Sequence, residues 1–194
     1  MSNDPTTAAL LARLEALEAR VARAEGQAEI LALKSRYGAL ADARYSRRGP
    51  RPQSEIDAVA DQLAALFTED AVWEGGGALG RCEGRDAIRE RFRAPTLQYA
   101  WHFFVKPEIR VEGDRAEGTW DVFALVTTQE GRAMWMVGVE HDAYARVDGR
   151  WLHTRMQLDS QLMAPYDRGW AAPRPKKPGG DAGFPPRRGD SQGD

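Results

Sequence analysis

The chain has 194 residues, a formal net charge of −2 and 42% hydrophobic residues, which suits one domain with a buried core and extended ends. So small a net charge argues against a basic nucleic-acid surface, and the single cysteine, Cys82, excludes an internal disulfide and a thiolate metal cluster. No signal-type apolar core opens the chain and no apolar run reaches about 18 residues, so a cytoplasmic protein without a membrane span is expected.

Residues 6 to 46 read as one long helix. Leu10, Leu14, Leu17, Val21, Ala24, Ala28 and Leu31 recur at alternating steps of four and three, which is a heptad seam. Asp4, Pro5 and Thr6 supply a start signal. Residues 1–27 form an extension expected to pack on a neighbouring subunit or on its own body. Pro50 and Pro52 forbid continuation. Ser54 and Asp57 are candidate caps for a second helix over about 55 to 67, with Ile56, Val59, Ala60, Leu63 and Leu66 on one face. The stretch TEDAVWEGGG reads as a short strand ending in a Gly turn. GRDAIRERFRA reads as a third helix, with Ile88 and Phe92 four apart.

From residue 99 the pattern changes to four long strands, with turn signals at Glu-Gly-Asp and Asp-Gly-Arg. Helices followed by a strand meander give an α+β class, with a curved antiparallel sheet wrapped around three helices. Residues 28–163 form this body. Residues 164–194 are rich in Pro, Gly and charge and are expected to be a largely disordered tail. Tyr166 and Trp170 are candidate anchors over a pocket mouth or on a neighbour.

Strand alternation selects the inward residues. Trp120, Val122, Ala124 and Val126 share one face of their strand. Met136, Gly138 and Glu140 follow on the next, and Thr154, Met156 and Leu158 on the last. A Glu among apolar neighbours is raised in pKa and suits acid–base work. A slip of one residue would turn His141 inward instead. With Glu140 inward, His141 and His153 belong at the surface or a subunit contact. Trp101, Trp120, Trp135, Trp151, Phe103, Phe104 and Phe123 supply aromatic surface suited to a flat apolar ligand where they face inward. Gly75, Gly76 and Gly77 lack the spacing and the Lys of a phosphate loop. No His/Asp/Glu cluster has metal spacing, so no metal is expected.

His102 is the candidate base, because imidazole exchanges protons near neutral pH and needs a partner to fix its tautomer. Asp42, in the Ala-rich helical stretch GALADARY, is that candidate partner. Tyr37 lies about 140° from Asp42 around the helix, so the two would flank a wide pocket rather than share a stripe. Tyr45 lies near the Tyr37 face and is a candidate for the mouth.

Five segments, ILALKSRYGALADA, LAALFTEDAVWEGGG, CEGRDAIRERF, HFFVKPEIRVEGDRAEGTW and YARVDGRW, resemble the SnoaL-like branch of the NTF2-like superfamily over about residues 28 to 162. The resemblance implies a cone of three helices inside a strongly bent sheet with a deep apolar pocket. The nearest pattern is that of bile acid 7α-dehydratases, with γ-hexachlorocyclohexane dehydrochlorinase and scytalone dehydratase further off. Such enzymes imply His102 as general base, Asp42 as its orienting group, Tyr37 acting on a substrate oxygen, and a trimer. This chain has Ala124 where the dehydratases place an acid and about Ser160 where they place an Arg. Glu140 stands where relatives carry Tyr or Phe.

The expectation is a cofactor-independent lyase. It would eliminate water, halide or formaldehyde from a bulky aromatic or polycyclic molecule, such as a steroid or a lignin-derived diaryl compound. His102, Asp42, Tyr37 and Glu140 would carry the chemistry. Tyr45, Trp120, Val122, Ala124, Met136, Met156 and Leu158 would bind the substrate. An isomerase or epoxide hydrolase in the same pocket, or a non-catalytic binding module, are the rivals. A separation of His102 and Asp42 beyond about 4 Å would favour the module. The expected partners are a hydrophobic small molecule and further copies of the chain, with no nucleic acid and no membrane.

Overall fold

The computed structural model describes residues 5–77 and 79–170. Asp4 of the start signal and the tail from residue 171 lie outside these residues.

Helix α1 (Pro5–Ala43) is unbroken over 39 residues. It carries two apolar stripes. Gly26, Ile30, Leu33, Tyr37 and Ala41 recur every three or four positions and are buried against the body. The heptad residues Leu10, Leu14, Leu17 and Val21 lie on another side and are 45–62% exposed. Beyond Ala43 the chain turns through a small hairpin of β1 (Tyr45–Ser46) and β2 (Gly49–Pro50), with Gly49 at φ 117. Helix α2 (Gln53–Ala64) then begins earlier than expected. Pro52 occupies its N-cap position and makes no side-chain cap, so Ser54 and Asp57 sit inside the helix rather than capping it. Pro52, with φ −51, already presets the backbone for a helix start. Asp57 instead accepts a hydrogen bond from Gln53 Nε2 at 2.8 Å.

Strands β3 (Phe67–Glu74) and β4 (Arg81–Glu83) follow, then helix α3 (Arg85–Arg93), which buries Ile88 and Phe92. Four long strands complete the fold: β5 (Tyr99–Glu112), β6 (Arg115–Thr127), β7 (Ala133–Val147) and β8 (Arg150–Pro165). The six-stranded sheet runs β4-β3-β8-β7-β6-β5, curved and unclosed around the helices. The meander from β5 to β8 is antiparallel, as its turn signals imply. The sheet as a whole is mixed, because β3 lies parallel to β8. That pairing is possible because α3 and four strands separate the two in sequence, and a parallel pair needs such a long crossover.

Three bulges shape the antiparallel meander. Val105 faces Asp121 while Glu108 faces Thr119, so the Lys106–Pro107 stretch holds one extra residue. In β8, Arg155 faces Ala143 and His153 faces Tyr144, leaving Thr154 extra, and Gln161 is extra in the same way opposite Val137 and Gly138. A bulge bends its strand and moves the following residues to the opposite face.

Two buried clusters fill the cone. One joins Ile30, Leu63, Phe67, Ile88, Phe92 and Trp120 across helices and sheet. The other gathers Tyr45, Ala100, Val122, Ala124, Val126 and Met136. Phe104 packs against both.

Candidate functional site

Asp42 is the next-to-last residue of α1, and His102 lies near the start of β5. The Asp42 carboxylate holds His102 twice. Oδ1 is 2.6 Å from His102 Nδ1, and both oxygens accept the His102 backbone N–H at 3.2 and 3.1 Å. A carboxylate on Nδ1 places the ring proton there and leaves Nε2 with a free lone pair. The ring stacks on Phe104, with 6.0 Å between centroids and 7° between planes. Its side chain keeps 20% exposure, so the ring is partly accessible.

On the sheet, His102 faces Ala124, Ala124 faces Met136, and Met136 faces Met163. Directly opposed residues point to the same face, so a substrate meeting His102 would lie over a small alanine flanked by a flexible methionine. Val122, Ala124 and Met136 pack with Tyr45 beside Leu158 in this region. Trp120 and Met156 belong to the deeper cluster instead. The expected lining residues therefore divide between two layers of the cone.

The deeper layer holds charge that the sequence reading did not include. Glu140 does face inward, as strand alternation placed it, and is buried. It does not stand alone. Lys34 of α1, with a side chain 1% exposed, pairs with Glu140 Oε2 and also donates to Asp142 Oδ2 at 2.7 Å. Tyr144 donates its hydroxyl proton to the same Asp142 oxygen at 2.7 Å and accepts from Trp120 Nε1 at 3.0 Å. Burial raises the Glu140 carboxyl above the usual range, against the pull of Lys34. For Lys34 burial opposes the charge, yet the two carboxylates outweigh it and its pKa is raised.

Two signals pointed to this cluster. Asp142 is two residues beyond Glu140, so the same alternation turns it inward. Lys34 falls on the α1 face that also carries Ile30, Tyr37 and Ala41.

Tyr37 is boxed by the rings of Phe67, Phe92, Phe104 and His153 at 5.8 to 6.2 Å. Its hydroxyl accepts from Trp73 Nε1 at 3.2 Å. Burial pushes its phenol pKa up.

His153 departs from expectation. It is fully buried rather than at the surface, because the extra residue Thr154 turns it inward. Burial lowers its pKa to about 3. Its two ring nitrogens and Asp142 Oδ1 have no hydrogen-bond partner among the described residues. His141 is exposed, as expected. The outer sheet face takes several of the aromatics. Phe103, Phe123 and Trp135 stack in a row there, and Tyr166 and Trp170 contact Trp135. Trp135 alternates with the inward Met134 and Met136, so those two aromatics do not cover the inner face.

Two surface hollows are not lined by His102 or Asp42. One, of about 420 Å³, lies between α1 and the β5–β6 turn. The other, of about 1060 Å³, includes Arg85, Arg110, Glu117 and Arg150. No group of three or more His, Cys, Asp or Glu among the described residues could hold a metal ion. No described helix is long and apolar enough to cross a membrane.

The profile of the SnoaL-like domain family matches residues 22–157. No curated protein matches the sequence. Among solved structures, a type 2 hexachlorocyclohexane dehydrochlorinase (LinA) is 20% identical, with a TM-score of 0.60 over 80% of this chain and 95% of its own. A candidate scytalone dehydratase from Novosphingobium aromaticivorans is 20% identical, with a TM-score of 0.58 over 73% of this chain and 87% of its own. An NTF2-like protein with a cystatin-like fold from the same organism is 25% identical, with a TM-score of 0.55 over 83% of this chain and 92% of its own. At such identities the likeness speaks for the fold.

Proposed function

This chain belongs to the SnoaL-like domain family, and from that premise we propose that it is a cofactor-independent lyase acting on a bulky apolar small molecule. The observation that carries the reading is the 2.6 Å contact between His102 Nδ1 and Asp42 Oδ1 beside an accessible ring. In this mechanism His102 Nε2 takes a proton from carbon or from a hydroxyl of the substrate. Asp42 holds the ring and stabilises the imidazolium that forms. A proton lost from carbon leaves a pair that expels a halide ion, or hydroxide that departs as water with a proton from an acid. A proton lost from a primary hydroxyl of a diol lets that oxygen's pair form formaldehyde, and the broken carbon–carbon pair expels the second hydroxyl as water.

Glu140 is the better acid of the two candidates. Burial favours its protonated form, whereas the Tyr37 hydroxyl is engaged with Trp73 inside a ring of aromatics. The apolar lining around His102, with small Ala124 directly opposite, suits an aromatic or polycyclic substrate.

The test is a paired assay without added metal or cofactor. Wild type and His102→Ala are incubated with hydroxylated steroids, lignin-type diaryl diols and chlorinated cyclic compounds, and the products are followed by mass. Loss of water, formaldehyde or hydrogen chloride with wild type alone is the expected result. If both proteins bind a panel member and neither converts it, the chain is a binding module and the lyase reading falls.

A further inference from the structure

The first half of α1 presents a face that no other described part of the chain covers. Residues 6–25 are exposed throughout, and Leu10, Leu14, Leu17 and Val21 stand along one line of that surface. A helix in a protein draws most of its stability from packing its apolar face, so this line calls for a partner. Its own body does not serve, because the buried stripe through Gly26, Ile30 and Leu33 lies on a different side. The exposed line also continues past the point where α1 meets the body, through Ala24, Ala28 and Leu31.

The charges beside this line choose its partner and orientation. In heptad terms Leu14, Val21 and Ala28 take position a, and Leu10, Leu17, Ala24 and Leu31 take position d. Arg13 and Arg20 then fall at g, and Glu18 and Glu25 at e. Two such helices laid parallel and in register bring each g beside the following e of the other copy. Arg13 meets Glu18 and Arg20 meets Glu25, on both sides of the seam. Antiparallel packing would instead set Arg against Arg and Glu against Glu. No ion pair ties these four residues to another described residue of their own chain. Their charges are available to a second copy.

We infer that the docking partner of this face is a second copy of this chain, joined through residues 10–31 of α1 as a parallel, in-register coiled coil. A parallel coil places its symmetry axis along the helices and sets the bodies side by side at one end, in a cyclic assembly.

The test uses the full chain with Cys82→Ser, which removes the lone native thiol. Leu10→Cys and Ala24→Cys are introduced separately and oxidised. In a parallel, in-register coil identical d residues face each other, so each variant is expected to form disulfide-linked dimers with its own kind. A mixture of the two is expected to give no cross-link between unlike chains. Links between the unlike chains, or at one site only, would overturn the arrangement. So would a chain that sediments as a monomer, or an oligomer in which neither cysteine links.

A charge test follows. Arg13→Glu with Arg20→Glu is expected to weaken self-association by about tenfold or more. Mixing that chain with one carrying Glu18→Arg and Glu25→Arg is expected to restore it. Unchanged association in the first variant, or no recovery on mixing, would sink the proposal.

Discussion

Two places in the cone pair a basic side chain with carboxylates across the same helix–sheet boundary, and they differ mainly in access. At His102 the base comes from β5 and the acid from α1. At Lys34 the base comes from α1 and the acids from β7. The His102 side chain is 20% exposed, whereas those of Lys34 and Asp142 are 1% and 0% exposed. A sealed ion pair such as Lys34–Asp142 is costly to disturb and exchanges protons poorly with a ligand, while Glu140 keeps 9% side-chain exposure at its edge. A half-open imidazole held by one carboxylate is suited to that exchange. Pairing alone does not mark a reactive group; pairing together with a way in does.

The sharpest way to break this contrast is Lys34→Met. It leaves Glu140 and Asp142 buried without their cation, and the expected cost is about 3–5 kcal/mol in urea unfolding. A cost below about 1 kcal/mol would show that the cluster does not hold the fold. His102→Ala should do the reverse. Turnover should fall by about 10²–10⁴-fold, with stability within about 1 kcal/mol of wild type. Asp42→Asn should lower turnover by a similar factor, since it loses the charge that stabilises an imidazolium and its amide favours the tautomer with the proton on Nε2.

A third test uses pH. His153 is held neutral, its pKa lowered to about 3 chiefly by burial, with Asp142 pulling the other way. Unfolded chains protonate this residue near its ordinary value of 6.5, before the folded protein does. Its contribution is therefore complete above about pH 6.5. It should be lost as pH falls toward 3, by up to about 1.4 kcal/mol per unit. His153→Phe should flatten that slope between pH 6.5 and 4, and an unchanged slope would contradict a neutral buried ring. The smallest expected effect is Glu140→Gln. Lys34 keeps Asp142 and an amide oxygen, so stability should shift by about 1 kcal/mol or less. Catalytic turnover should drop if Glu140 is the acid, and unchanged turnover would leave it a purely structural member of the cluster.

Much of the inner face was readable from alternation alone. Val122, Ala124, Met136 and Glu140 sit where a period of two puts them. His153 was not readable, because one extra residue reverses the faces beyond it and nothing local announces Thr154. The resemblance paired Asp42 with His102 across a sequence separation of 60 residues. Lys34 escaped because a lysine in a helix is ordinarily read as solvated, and its partners lie more than a hundred residues away. The parallel pairing of β3 with β8 is non-local in the same sense.

The Asp42 clamp has a consequence outside chemistry. β5 is the last strand of its sheet, so main-chain groups along its free side are open to strand addition by another molecule. The one carboxylate that orients the imidazole also occupies the His102 backbone N–H. The same side chain thus acts as an edge guard. Removing it with Asp42→Ala would expose part of that border, and loss of solubility should accompany loss of activity. Any search for improved variants at this position is therefore constrained by aggregation as well as by catalysis.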